Sequence, residues 1–103
     1  MYQAYQAREE YNFASKLCNV ILYERNHEKE FNSIGEEIKH LSYLGKNQYN
    51  FFRTFHIKDE NNERELYKKV LELAGYSVDI TLPKDTKLGK DIYYTQYIVS
   101  INW

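Results

Sequence analysis

The sequence has little of what small domains use for covalent or metal reinforcement. Its one cysteine, Cys18, has no second cysteine with which to pair, so an intramolecular disulfide is excluded and a reducing, cytoplasmic compartment is expected. No run approaches the roughly 18 apolar residues that a membrane-spanning helix needs, and the first residues lack the basic-then-apolar order of a signal peptide. We therefore expect neither membrane insertion nor export.

The chain also lacks a surplus of charge of either sign. Fourteen basic and fifteen acidic side chains give a formal net charge of −1, which disfavours non-specific binding to nucleic acid and is unlike an acidic mimic of DNA. Its 103 residues, 43% of them hydrophobic, suit one domain spanning residues 1–103 rather than two domains or a disordered chain.

Signatures of catalysis and of metal binding are missing as well. His27, His40, His56 and Cys18 stand far apart, without a C-x-x-C or H-x-x-x-H pair, so we predict no metal site and no cofactor. The sequence contains neither a G-x-S-x-G turn nor a Gly-rich phosphate loop. We predict no catalytic residue and no enzyme activity. A small metal-dependent nuclease built from loop carboxylates stays as the alternative.

Aromatic residues are abundant, whereas proline and glycine are few. Eleven tyrosines, five phenylalanines and one tryptophan make up 17% of the chain. An AT-rich coding sequence, common in phages and in low-GC bacteria, produces many Tyr, Asn, Lys and Ile residues without functional selection. Because so small a core cannot enclose every ring, some tyrosines should lie on the surface, where rigid amphipathic rings anchor contacts.

Two helices are predicted in the N-terminal half. Apolar residues at steps of three and four predict a first helix from Gln3 to Arg25 that ends near Asn26-His27. The segment Ser33–Glu36 has the S-x-x-E form of a capping box and predicts a second helix from Ile34 to Leu44, closed by Gly45. The two helices should form an antiparallel hairpin.

A third helix is predicted between two segments of alternating character. It runs from about Glu63 to Ala74, with Asn62 as its N-cap and Gly75 closing it. The side chains expected to face the core are Leu66, Val70, Leu73 and Ala74.

Three strands complete the predicted fold. Alternation predicts a first strand from Gln48 to Ile57, a second from Tyr76 to Leu82 before Pro83, and a third that opens at about Ile92 and runs to Trp103. The last two strands should pair antiparallel, and the first two, joined through a helix, should be parallel neighbours. The fold class is thus α+β: an N-terminal helical hairpin, then a β-α-β-β unit whose small three-stranded mixed sheet carries helices on one face.

The functional prediction is a small non-enzymatic protein-binding module. The excess of rings and the lack of catalytic motifs suggest an inhibitor or adaptor of phage or mobile-element type, acting on a larger host protein of defence or housekeeping function. A homodimer through strand edges is a further option. The predicted partner-binding residues are Tyr93, Tyr94, Tyr97, Trp103, Tyr49 and Phe52.

The alternative is a nucleic-acid-binding regulator of winged-helix type, in which the third helix reads the nucleic acid and the loop after Pro83 forms the wing. Acidic residues in that helix, Glu63, Glu65 and Glu72, argue against it. Its predicted contact residues are Lys84, Lys87, Lys90, Arg64, Lys68 and Lys69.

Overall fold

The computed structural model describes residues 17–56, 58–59, 62–83 and 94–103. We number the elements in chain order: helix α1 (17–26), helix α2 (Glu28–Tyr43), strand β1 (Gln48–His56), helix α3 (Glu63–Leu73), strand β2 (Ser77–Thr81) and strand β3 (Tyr94–Asn102). The predicted α+β class and the β-α-β-β order are confirmed. Residues 3–16, on which the predicted helical hairpin depends, lie outside the described residues.

Helices α1 and α2 are joined by a single residue, His27, at the place where the first helix was predicted to end. The predicted start of α2 is wrong. The helix begins at Glu28, so Ser33 lies within it and is not a cap. The first turn closes when the Phe31 N–H donates to the His27 carbonyl at 3.0 Å. The acidic residues Glu28 and Glu30 in this turn stabilise the helix, because their negative charges lie beside the positive end of the helix dipole.

Both predicted glycine stops are confirmed by their backbone geometry. Gly45 and Gly75 have φ values of 76° and 99°, which side chains with a Cβ rarely adopt. After α2, the Lys46 N–H donates to the Leu41 carbonyl and the Gly45 N–H to the Ser42 carbonyl. The same pair of bonds, from Tyr76 and Gly75, closes α3. Both helices therefore end in Schellman motifs.

Of the four core residues predicted for helix α3, Val70 is confirmed as buried and Leu66 packs half-buried against the core, but Leu73 and Ala74 do not face it. Tyr67, Val70 and Leu71 are buried, whereas Leu73 is 65% exposed and Ala74 is exposed as well. The burial of Tyr67 was not predicted, and its ring meets the Phe55 ring edge-on at 5.5 Å. A buried ring removes more apolar surface from water than a leucine at the end of the helix does.

At the start of α3, Asn62 occupies the N-cap position but makes no side-chain capping bond. Instead, the Asp59 carboxylate accepts the Arg64 backbone N–H at 3.3 Å and the Arg64 Nε at 3.2 Å. The predicted cap residue is therefore in place, and a neighbouring acidic side chain performs the capping.

The sheet has the order β1-β3-β2, with both pairs antiparallel. The predicted antiparallel pairing of the last two strands is confirmed. The predicted mixed sheet is wrong, because β3 lies between β1 and β2 and pairs with each of them. Strands β1 and β2 do run in the same direction, but they are not neighbours.

The core lies between the helices and one face of this sheet, and we call that face of the sheet the inner face. All described helices contribute side chains to the core. Its buried side chains are Val20, Tyr23, Ile34, Ile38, Phe55, Tyr67, Val70, Leu71, Val78, Tyr97, Val99 and Ile101. Helix α2 contacts β1 and helix α3 contacts β2, so both helices lie on the same side and the opposite side of the sheet faces outward.

Candidate functional site

The outer face of the sheet is formed by the side chains that alternate with the core residues. Its described members are Gln48, Asn50, Phe52, Thr54 and His56 of β1, Tyr94, Gln96, Ile98, Ser100 and Asn102 of β3, and Ser77, Asp79 and Thr81 of β2. All of them are exposed or half-buried. We refer to this set as the outer face.

Two large aromatic side chains of the outer face are well exposed. Phe52 is 62% and Tyr94 is 63% exposed. Phe52 pairs across the strands with half-buried Ile98, and the Tyr94 ring meets the His56 ring edge-on at 5.2 Å. The Phe52–Ile98 pair lies at the middle of the β1–β3 ladder and the His56–Tyr94 pair at its end, with Thr54 and Gln96 between them. The outer face therefore presents two apolar contact points separated by uncharged polar groups.

The outer face is nearly free of charge, although 28% of the chain is charged. Among its described residues there is no lysine or arginine, and Asp79 is the one carboxylate. The exposed remainder consists of amide and hydroxyl side chains, which can donate and accept hydrogen bonds without the desolvation cost of a charge.

The predicted partner-binding residues do not form one surface. Phe52 and Tyr94 share the outer face, but Tyr97 is 4% exposed and belongs to the core. Half-buried Tyr49 and Trp103 also pack against the core. The Tyr49 and Phe51 rings are tilted toward each other with their centroids 4.7 Å apart, and the Trp103 ring meets the Tyr76 ring edge-on at 6.3 Å. Tyr93 lies outside the described residues.

Sequence reasoning missed Ile98 and the polar members of the outer face. The available signal was parity: in β3, Tyr94 and Ile98 fall at even positions, opposite to the buried set that includes Tyr97. Because the partner-binding residues were predicted from aromatic character alone, residues from both faces of the strand were included in one set.

The cations predicted for nucleic-acid binding are in part engaged within the fold. The Arg64 guanidinium pairs with Asp59, donates to the Tyr97 hydroxyl at 2.6 Å and lies over the Tyr97 ring at 4.6 Å. Lys68 lies 4.0 Å from Glu72, and Lys69 is exposed. Lys84, Lys87 and Lys90 lie outside the described residues, so the described structure brings no basic cluster together.

A polar cluster on the inner face was not predicted. Arg53, a charged residue within the apolar alternation of β1, donates through Nε and Nη2 to both carboxylate oxygens of Glu30. Its Nη1 donates to Glu63 at 3.2 Å, and the Tyr23 hydroxyl donates to the same Glu63 oxygen at 2.9 Å. The sequence gives no local pattern that predicts this cluster, because the two carboxylates come from separate helices.

The electrostatics of this cluster follow from burial and pairing. The guanidinium lies 4.5 Å from the centre of the Phe55 ring and 4.6 Å from that of Tyr67. Burial alone would lower the pKa of Arg53, but the hydrogen bonds with Glu30 and the surrounding negative groups raise it above its usual value. The arginine is therefore permanently charged, and the cluster ties α2, β1 and α3 together.

No group of three or more His, Cys, Asp or Glu side chains suited to a metal ion occurs among the residues that the structure describes. The Cys18 thiol is exposed on α1. No helix within the described ranges combines the length and apolar character needed to cross a membrane. Comparison of the chain with protein-family models, curated proteins and solved structures gave no match.

Proposed function

We propose that this chain is a non-enzymatic protein-binding module that covers a surface of a larger protein with its outer face. The observation that carries the proposal is the combination of exposed Phe52 and Tyr94 with the near absence of charge on that face. Centres of protein interfaces are depleted in Lys, Glu and Asp and enriched in aromatic residues.

The exposed rings would provide most of the affinity. Enclosing one such ring removes enough apolar surface from water to contribute on the order of 2 kcal/mol. Anchors of this kind dominate many interfaces, while the surrounding contacts chiefly exclude water. The amide and hydroxyl groups between the rings would supply adaptable hydrogen bonds, as they do in antibody loops.

The partner is proposed to be a host protein, with the chain acting as an inhibitor or adaptor of phage or mobile-element type in the cytoplasm. This part rests on the AT-rich residue usage, on the lack of catalytic motifs and on the unpaired Cys18. Exposure of the Cys18 thiol is compatible with a reducing compartment.

The test is affinity capture from a host lysate with three versions of the full chain. The wild type is compared with the double variant Phe52→Ser, Tyr94→Ser and with the control Tyr43→Ser. Tyr43 is 81% exposed at the end of α2, outside the outer face. We expect one stoichiometric protein to be retained by the wild type and the control and lost from the double variant.

Capture of no protein by the wild type would overturn the proposal, and so would either of two further outcomes. Equal retention of the protein by the double variant would show that the outer face is not part of the interface. Recovery of nucleic acid alone would favour the alternative function, a nucleic-acid-binding regulator of winged-helix type. Salt separates these classes, because phosphate-led binding weakens steeply between low and moderate salt whereas an aromatic interface hardly responds. Capture is therefore repeated at both salt concentrations and after nuclease treatment.

A further inference from the structure

Strand β1 lies at an edge of the sheet, and its ladder fixes which backbone groups point outward. The Trp103 N–H donates to the Asn47 carbonyl at 3.0 Å, which extends the β1–β3 pairing by one hydrogen-bonded pair. Because such pairs alternate in an antiparallel ladder, the odd residues of β1 bond to β3. The N–H and C=O groups of Asn50, Phe52 and Thr54 point away from β3, and no described strand pairs with them.

The β1 edge has few of the features that prevent an edge strand from pairing with another chain. Over Gln48–His56 there is no proline, and the register with β3 runs without a bulge. The strand's one charged residue, Arg53, points inward and is neutralised by Glu30 and Glu63. Arg53 Nη1 also donates to the Thr54 carbonyl at 3.3 Å, but a carbonyl oxygen can accept a second bond.

The opposite edge of the sheet is protected by contrast. Strand β2 has five residues where β1 has nine, and Pro83 follows it closely. Its central residue is Asp79, so two copies paired there would place like charges opposite each other. Of the two edges, β1 is the one suited to pairing between copies of the chain.

We propose that β1 pairs antiparallel with β1 of a second copy about a two-fold axis at Phe52. Phe52 is the central residue of the strand, and its edge-facing N–H and C=O groups would bond to those of its counterpart, as a self-complementary interface requires. Asn50 would lie opposite Thr54 of the second copy. The two sheets join into one six-stranded sheet, and the outer faces become continuous.

Self-complementarity argues for a second copy as the occupant. The side chains that meet across the axis are uncharged, so no repulsion opposes the pair, and cross-strand aromatic pairs such as Phe52 with Phe52 stabilise sheets. Each backbone N–H that loses a water in this pairing gains a C=O of the other copy as its acceptor, and each C=O gains an N–H as its donor. The inference does not depend on the proposed function, because it concerns the purified chain alone.

The first experiment measures the mass of the purified full chain by sedimentation velocity over a range of concentrations. The wild type is compared with Asn50→Pro, which removes an edge-facing N–H, and with Asn50→Thr, which keeps it. Proline is tolerated where the N–H does not serve the ladder. We expect a dimer of equal stability for the wild type and Asn50→Thr. Asn50→Pro should raise the dissociation constant on the order of 30-fold or more, since two bonds are lost per dimer.

The second experiment tests the position of the axis. Phe52→Lys and Phe52→Glu should each be monomeric, because like charges meet on the axis, and an equimolar mixture should form the heterodimer. Since Phe52 is exposed, both variants should keep the circular dichroism spectrum and cooperative melting of the wild type. A monomeric wild type at about 100 μM, where a micromolar dimer would be mostly associated, would overturn the proposal. So would a dimer that survives in folded Asn50→Pro, or a mixture that fails to associate.

The outcomes separate this dimer from the proposed function. Asn50→Pro leaves the Phe52 and Tyr94 rings in place, so loss of the dimer with unchanged capture of a host protein would support both inferences independently. A dimer without any captured protein would leave the edge pairing intact and overturn the proposed function alone.

Discussion

At the scale of single residues, two buried tyrosines differ in what their hydroxyl groups contact. The Tyr97 hydroxyl accepts a hydrogen bond from Arg64 at 2.6 Å. The Tyr67 hydroxyl is buried and makes no hydrogen bond of good geometry with a described residue, although the Glu30 carboxylate is near enough to raise its pKa. Since an unsatisfied buried hydroxyl costs free energy that a phenylalanine does not incur, the two Tyr→Phe substitutions should act in opposite directions.

We predict that Tyr67→Phe raises the free energy of unfolding by up to about 1 kcal/mol, because it removes the unpaired hydroxyl and keeps the ring. Tyr97→Phe should lower it by about 1 kcal/mol, because it removes the bond from Arg64. Urea denaturation at pH 7 measures both variants. Equal losses in the two would show that the Tyr67 hydroxyl is bonded in solution.

The residue scale is also where sequence reasoning was weakest. Exposure of Phe52 and Tyr94 agrees with the expectation of surface rings, but Tyr97 was assigned to the surface and lies in the core. Aromatic character does not fix which face of a strand a residue occupies. Partners such as Glu30 and Glu63 for Arg53 depend on tertiary packing, so no local pattern could have indicated them.

At the scale of elements, the strands were predicted well and the start of α2 was not. The period-two alternation marked all three strands because one face of the sheet is buried along their length. The capping-box pattern misled because Ser33 and Glu36 also suit exposed positions within a helix. The apolar spacing of Phe31, Ile34 and Ile38, which continues through that supposed boundary, was the better guide.

Glycines in and after α2 give a test of these element boundaries. Gly35 lies within the helix, and a Cβ there would meet nothing within 4 Å, whereas Gly45 has the positive φ that closes the helix. We predict that Gly35→Ala raises the free energy of unfolding by about 0.5–1 kcal/mol and that Gly45→Ala lowers it by about 1 kcal/mol. Thermal and urea denaturation measure both. A destabilising Gly35→Ala would contradict a continuous helix through this position.

At the scale of the whole molecule, the charged side chains that the structure describes are divided unequally between the two sides of the sheet. The helical side carries the ion pairs of Arg53 and Arg64, and the outer face is almost uncharged. Composition predicted a balanced net charge but not this division, because the division depends on which strand positions face the helices. The same packing encloses Tyr23 and Tyr67 around Arg53, which links the stability of the fold to pH.

The expected consequence is loss of stability in alkali. Burial raises the pKa of Tyr67, and the Glu30 carboxylate raises it further. Burial and the bond to Glu63 likewise raise that of Tyr23, although Arg53 opposes them. Above pH of about 10, where an unfolded tyrosine ionises, the folded chain keeps protons that the unfolded chain loses. The free energy of unfolding should therefore be unaffected by these groups below that pH and fall above it, by up to about 1.4 kcal/mol per pH unit for each tyrosine.

Tyr67→Phe isolates one of the two contributions. The phenylalanine keeps the ring and cannot ionise, so the free energy of unfolding of the variant should decline less steeply with pH than that of the wild type above pH of about 10. The two slopes should differ by up to about 1.4 kcal/mol per pH unit, the contribution of one proton. Urea denaturation from pH 8 to 11.5 gives the slopes, and absorbance at 295 nm follows tyrosine ionisation in the folded chain. Identical slopes for the two proteins would show that Tyr67 ionises as readily in the folded state as in the unfolded one, and the enclosed aromatic cluster around Arg53 would then be open to water in solution.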